Sequence, residues 1–128
     1  MNEIIFKKNE LLELKEIKLT EKQKLELIEN KNQNLKNLGR VEFGESILKK
    51  IIKKFIDSPY IDEDDIVFEL SELTNIFYLY RSEINKLSDD EIIEYMKESF
   101  NEIYNGSLEL LETLGLERLK NGNWIYNW

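Results

Sequence analysis

The densest group of side chains that could do chemistry is acidic. It consists of Asp57, Asp62, Glu63, Asp64 and Asp65. Such carboxylates could bind Ca²⁺ or Mg²⁺, which prefer hard oxygen ligands. The spacing does not fit an EF-hand loop, because alternating ligands stop at Ile66 and the required glycine is missing. Acidic residues also stabilise a helix N-terminus through the helix dipole. We favour this structural interpretation, and we expect no metal and no cofactor.

Two residue types that serve in many active sites are absent, since the chain has no histidine and no cysteine. Their absence excludes Ser-His-Asp and Cys-His mechanisms and zinc held by Cys or His. The sequence also lacks a glycine-rich phosphate-binding loop. An enzyme that uses only carboxylates stays open. With 26 Asp and Glu residues, however, some pair of acids will lie close by chance.

Arg40 and Glu42 are candidate binding residues in a connector between Gly39 and Gly44. We expect this connector to be extended, so that alternation places both side chains on one side. They form either an exposed recognition pair or a salt bridge that closes the connector onto a helix. The flanking glycines favour the salt bridge. Asp57 and Tyr60, at the two ends of a Ser-Pro turn, are further candidates for a binding surface.

Three aromatic residues alternate in the C-terminal tail: Trp124, Tyr126 and Trp128. In an extended segment all three side chains point the same way. They either dock on the rest of the chain or form an anchor for a partner, because Trp and Tyr are enriched in binding hot spots.

Charge is divided unevenly along the chain, whose formal net charge is −8. Residues 1–56 carry 13 Lys and Arg against 9 Glu, whereas residues 57–128 carry 5 Lys and Arg against 17 Asp and Glu. The asymmetry indicates either a charged partner or two halves that pack with complementary fields, which we favour. Direct nucleic-acid binding by the acidic half is disfavoured by the sign of its field. Four lysines of one helix, Lys49, Lys50, Lys53 and Lys54, could contact phosphates or an anionic membrane; we favour a face that is solvated or paired within the chain.

Hydrophobic spacing and capping residues predict an all-α fold: a single-domain bundle of five to six helices with a short aromatic tail. We expect one domain over residues 1–128, with a tail over 122–128 and a segment over 1–19 whose start could be coil, strand or helix. The following helices are predicted at 20–38, 45–57, 63–86, 88–105 and 107–120. No apolar stretch approaches the ~20 residues needed to span a bilayer, and nothing in Met1–Lys8 resembles a signal peptide. We therefore expect a cytoplasmic protein.

The helix predicted over 63–86 has an apolar seam with the spacing of coiled-coil a and d positions. The seam residues are Ile66, Leu70, Leu73, Phe77, Tyr80, Ile84 and Leu87. Further apolar residues on other faces of this helix, Val67, Phe68, Ile76 and Leu79, indicate that it is the central helix of the bundle. A seam buried within the chain predicts a monomer, and an open seam predicts a homodimer formed through Ile66, Leu70, Leu73, Phe77 and Tyr80.

Four short motifs carry a family resemblance: Gly39–Gly44 (GRVEFG), Asp57–Tyr60 (DSPY), Leu87–Glu91 (LSDDE) and Gly106–Glu109 (GSLE). In this order they resemble a family of small Firmicutes proteins known only as a domain of unknown function. The resemblance covers about residues 20 to 119 and leaves out the first 19 residues and the aromatic tail. It implies a standalone bacterial domain, and it brings neither an activity nor catalytic residues.

From the sequence we expect a non-enzymatic domain that binds another protein. Two other hypotheses stay open. One is an acidic inhibitor of a nucleic-acid-processing complex, such as a phage antagonist that mimics the charge of DNA. The other is a carboxylate-based enzyme, which requires a pocket with convergent acids.

Overall fold

The computed structural model describes residues 11–39 and 47–122, which consist of helices and turns without a strand. The all-α prediction is therefore confirmed for this part of the chain. Its helices are α1 (Glu21–Asn37), α2 (Ile47–Phe55), α3 (Ile66–Glu83), α4 (Asp89–Glu98) and a composite helix α5. A 3₁₀ turn, Glu63–Asp65, precedes α3, and a π-helical turn, Ser99–Ile103, extends α4. α5 consists of Leu108–Leu110, the π-helical Leu111–Gly115 and Leu116–Lys120.

Local hydrogen bonds fix the starts of α1 and α4 as the capping-box motifs predict. The Gln23 amide donates to Thr20 Oγ1 and the Thr20 amide to Gln23 Oε1, both at 3.0 Å. Ser88 and Glu91 repeat this reciprocal pair, at 3.1 and 2.9 Å. Gly39 follows α1 with a φ of +67°, in the left-handed region that glycine adopts readily at helix ends.

α3 lies at the centre of the described core, because it contacts α1, α2 and α4. Leu70, Leu73, Phe77 and Tyr80 of its seam are at most 1% exposed, and Ile66 is half-buried. Side chains of this same chain thus cover the seam. A buried seam is the arrangement expected of a monomer. It leaves no exposed apolar seam through which the predicted homodimer could form.

The two π-helical turns change which residues face the core. The sequence pattern places Leu114 on the buried face of the last helix, but Leu114 is 47% exposed and Leu116 is buried instead. In the same way Tyr104 is buried where the pattern favours Ile103, which is only half-buried. A π-turn adds a residue to one helical turn and so rotates the residues that follow it around the axis.

Residues 11–13 are helical and residues 14–19 form turns, with Leu14 and Ile17 buried against the core and Leu12 65% exposed. Leu38, which the spacing of α1 favours as apolar core, is also half exposed. Among the described residues, no helix is both long and apolar enough to cross a membrane.

Candidate binding groove

An open groove of about 290 Å³ lies where α1, α3 and α5 meet. We call it the α3 groove. Its lining residues are Asn34, Leu38, Glu72, Asn75, Ile76, Tyr78, Leu79, Ser82 and Glu112. This volume is at the lower end of the range for small-molecule sites, roughly 300–1,000 Å³. The opening therefore suits a few side chains of a larger partner better than an enclosed cofactor.

The direction of α1 along α3 explains how the α3 groove is built. Asn30 Nδ2 donates to Ser71 Oγ at 3.0 Å, which fixes one point of contact between the two helices. The groove residues of both helices follow these positions in sequence, and they include Asn34 on α1 and Asn75 on α3. The C-terminal halves of the two helices thus form adjacent walls, and Glu112 of α5 borders the same opening.

The floor of the α3 groove is apolar and its walls are polar. Ile76 and Tyr78 are each 3% exposed, Leu79 is half-buried and Leu38 is 50% exposed at the rim. The side chains of Asn34, Asn75 and Ser82 add hydrogen-bonding groups to the walls. An apolar floor with a few polar groups is the usual composition of a binding site.

Two charged residues are among the described residues that line the α3 groove, and both are acidic. Neither Glu72 nor Glu112 forms an ion pair with another described residue, and no Lys or Arg is among the described residues that line the groove. Other acids of the same half are paired: Lys50 with Asp90 and Lys54 with Glu94, both at 2.9 Å. The groove therefore carries a negative charge that the described part of the chain does not neutralise.

These two salt bridges join α2 to α4 in a ladder, since both pairs step by four residues along their helices. Lys50 and Lys54 of the predicted lysine face are thus paired within the chain, as one of our alternatives expects. The ladder also joins the basic first half to the acidic second half. Arg81 adds a third contact to Asp89 at 2.8 Å.

Two of the predicted binding residues, Asp57 and Tyr60, lie in the turn after α2, away from the α3 groove. Asp57 is exposed, and Tyr60 is 40% exposed. The Tyr60 ring packs edge-on against Phe100 with centroids 6.3 Å apart, and its hydroxyl donates to Asn105 Oδ1 at 3.3 Å. The Cβ and the ring of Tyr60 also lie where a Cβ on Gly106 would stand. Through these contacts Tyr60 packs the turn after α2 against the C-terminal end of α4.

The neighbouring polar contact has the same effect. Ser58 Oγ donates to Asn101 Oδ1 at 2.6 Å. Asn105 and Gly106 both have positive φ, +49° and +84°, so the chain reverses abruptly here, as the Asn-Gly pair predicts. Contacts within the chain thus account for Ser58 and Tyr60 of this motif, and the binding role of Asp57 and Tyr60 stays a prediction.

The acidic run 62–65 acts as a helix start. The Asp64 amide donates to Asp62 Oδ1 at 3.2 Å, and the Asp62 amide donates to Glu69 Oε2 at 3.3 Å. Burial raises the pKa of Glu69 above its usual range, and the nearby charge of Asp65 raises it further. No group of three or more acids in the described ranges has an arrangement that could hold a metal ion.

The remaining predicted site residues lie outside the described residues. They are Arg40 and Glu42 of the connector and the tail residues Trp124, Tyr126 and Trp128. The expected extended shape of the connector, the Arg40–Glu42 contact and the placement of the tail aromatics stay predictions.

A family model described as a family of unknown function, DUF6323, matches residues 4–124. The chain belongs to this family. The DUF6323 match is wider than the resemblance seen in the four motifs, because it takes in most of the first 19 residues and reaches Trp124 of the tail. The bacterial origin that the resemblance implies stays a prediction. No curated protein and no solved structure matches the chain.

The sequence contains one signal for the groove of this DUF6323 protein. Phe68, Glu72, Asn75, Leu79 and Ser82 are spaced 4, 3, 4 and 3 residues apart, so they form a second stripe along α3. Phe68 is 61% exposed, although it is apolar. An apolar and amide-bearing stripe on the face away from the buried seam is a pattern that could have indicated a binding surface. Glu112 carries no such signal, because only the tertiary fold brings α5 beside α3.

Proposed function

We propose that this DUF6323 protein is a protein-interaction domain that acts in the cytoplasm and binds its partner in the α3 groove. The observation that supports the proposal is the combination of a partly exposed apolar lining with two carboxylates that pair with no described cation. A buried apolar anchor surrounded by polar contacts is how protein interfaces gain most of their affinity.

The structure supports the carboxylate-enzyme hypothesis less well than the protein-interaction hypothesis. The α3 groove does bring Glu72 and Glu112 to one opening. General acid catalysis by a carboxyl group, however, relies on a site that excludes water and keeps the proton in place. An open groove with an exposed Glu112 does not provide such a site.

The structure also supports the DNA-mimic hypothesis less well than the protein-interaction hypothesis. The ladder between α2 and α4, together with the Arg81–Asp89 pair, places cations beside three acids at the start and middle of α4. Paired cations weaken the continuous negative field that a mimic of DNA needs.

The test is affinity purification from the native host with three baits: the unchanged chain, Leu38→Glu and Leu12→Glu. Both leucines are exposed, so neither substitution removes a buried side chain, and both add the same charge. We expect a stoichiometric protein partner that Leu38→Glu loses and Leu12→Glu retains. A partner retained by all three baits, or no protein partner at all, would contradict the proposal.

A further inference from the structure

We propose that the occupant of the α3 groove is an amphipathic helix of another protein, with basic residues flanking its apolar stripe. This inference rests on the proposed function and states the chemistry of the partner. It follows from the charge, the apolar composition and the helical walls of the groove.

Charge selects a basic partner. Glu72 and Glu112 contribute two negative charges to the groove, and none of the described residues that line it is a cation. Elsewhere in the acidic second half of the chain, acids such as Asp90 and Glu94 already have lysine partners within the chain. A Lys or Arg of the partner would therefore gain an attraction at the groove that these paired acids do not offer.

The exposed apolar residues at the groove favour a partner with a hydrophobic stripe. Leu38 is 50% exposed at the rim, and Phe68, 61% exposed, lies one turn before Glu72 on the same face of α3. Scattered single apolar residues are common on protein surfaces. Here, however, they adjoin a groove whose floor is formed by Ile76 and Leu79, which extends the apolar surface along the helix.

The helical walls select a helix as the occupant. Addition of a β-strand requires a free sheet edge, and recognition of a polyproline segment requires a groove lined by several aromatic rings. The walls that the described residues form belong to helices, and the one aromatic side chain among these residues, Tyr78, is buried. From Phe68 to Ser82 the stripe spans 14 residue steps, about 21 Å, which accommodates about four turns of a docked helix.

The probe is a fluorescein-labelled Leu/Lys peptide of about 16 residues, designed as an amphipathic helix of about 24 Å. Two comparison peptides are a scrambled sequence of the same composition and a Leu/Glu helix. Fluorescence anisotropy with the full chain at low and moderate salt measures Kd. The test variant is Glu72→Gln/Glu112→Gln. The matched control is Glu109→Gln/Glu117→Gln, which removes the same charge from exposed acids that do not line the groove.

We expect the Leu/Lys helix to bind more tightly than both comparison peptides, with an affinity that falls as salt rises. The groove variant should weaken binding about three- to tenfold, as expected for two exposed ion pairs, and the control by less than about twofold. Equal weakening by both variants, or equal binding of the scrambled peptide, would overturn the inference. The affinity purification could yield a protein whose capture depends on Leu38 while the Leu/Lys helix does not bind the chain. This result would overturn the present inference and leave the proposed function intact.

Discussion

Replacement of Gly115 by alanine should destabilise the protein, although alanine is the better helix former. Gly115 ends the π-helical turn of α5, and a Cβ there would come closer than 3.0 Å to the Tyr80 hydroxyl oxygen. That hydroxyl is buried and donates to the Leu111 carbonyl. The new methyl group must displace it, because Leu111 Cδ1 and a Tyr104 ring carbon also lie 3.4 Å from the Cβ position.

The expected magnitude combines three opposing effects. Alanine gains ~1 kcal/mol over glycine in helix propensity. Forcing an extra methyl group into a packed site costs ~1–3 kcal/mol. Displacing the Tyr80 hydroxyl breaks its hydrogen bond to the Leu111 carbonyl and leaves both buried groups unsatisfied, which costs ~1–3 kcal/mol more. The net loss in free energy of unfolding for Gly115→Ala should therefore be ~1–5 kcal/mol.

A double-mutant cycle with Tyr80→Phe isolates the clash. This substitution removes the oxygen that the methyl group would meet, so Gly115→Ala should cost less in the Tyr80→Phe background, with a coupling of ~1–2 kcal/mol. Tyr104→Phe is the matched control. The Tyr104 hydroxyl is buried without a hydrogen-bond partner among the described residues, and the contact to position 115 involves a ring carbon that phenylalanine keeps.

Urea unfolding followed by circular dichroism at 222 nm, a standard helix wavelength, gives the free energies of the four proteins in each cycle. We expect coupling with Tyr80→Phe and additivity with Tyr104→Phe. An unchanged or increased stability of Gly115→Ala, or a cost that is the same in the Tyr80→Phe background, would refute the packing argument for the π-turn.

Two further predictions concern the turn after α4 and the buried tyrosines. Gly106→Ala should lower the free energy of unfolding by at least ~2 kcal/mol more than Gly122→Ala, because both have positive φ but only at Gly106 would a Cβ overlap the Tyr60 ring; equal losses in urea unfolding would contradict this. Burial raises the pKa of Tyr80 and of Tyr95 above the ordinary tyrosine value. The unfolded chain then releases these protons first, so the stability they contribute is complete below about pH 10 and falls as pH rises beyond it. Denaturation curves from pH 8 to 11 should show this fall and a shallower one in Tyr95→Phe; equal slopes would exclude the tyrosines as its cause.

The sequence predicts those features of the fold that depend on neighbouring residues. Thr20 with Gln23 and Ser88 with Glu91 form the capping boxes that their spacing indicates. The apolar seam of α3 is buried as its periodicity suggests. These features depend on hydrogen bonds and side-chain spacing within a few residues, so a single sequence contains the information needed to predict them.

Features that depend on tertiary contacts were not predicted. Nothing local distinguishes the π-helical turns from ordinary helix, so the apolar spacing favours a buried Leu114 and does not show that Leu116 is buried instead. The Tyr80 hydroxyl, which bonds the Leu111 carbonyl 31 positions further along the chain, belongs to the tertiary packing that surrounds one such turn. The α3 groove has the same origin, because Glu112 and Asn34 come from helices at opposite ends of the described chain.

The most direct test of the α3 groove as a docking surface is site-specific photo-crosslinking in the native host. A photoreactive phenylalanine analogue replaces Leu38 at the groove rim or, as control, Leu12 outside the groove. Irradiation followed by mass spectrometry identifies covalent adducts. We expect one protein adduct from Leu38 that is absent from Leu12 and that decreases with Glu72→Gln/Glu112→Gln. No adduct from Leu38, or the same adducts from both positions, would contradict this expectation.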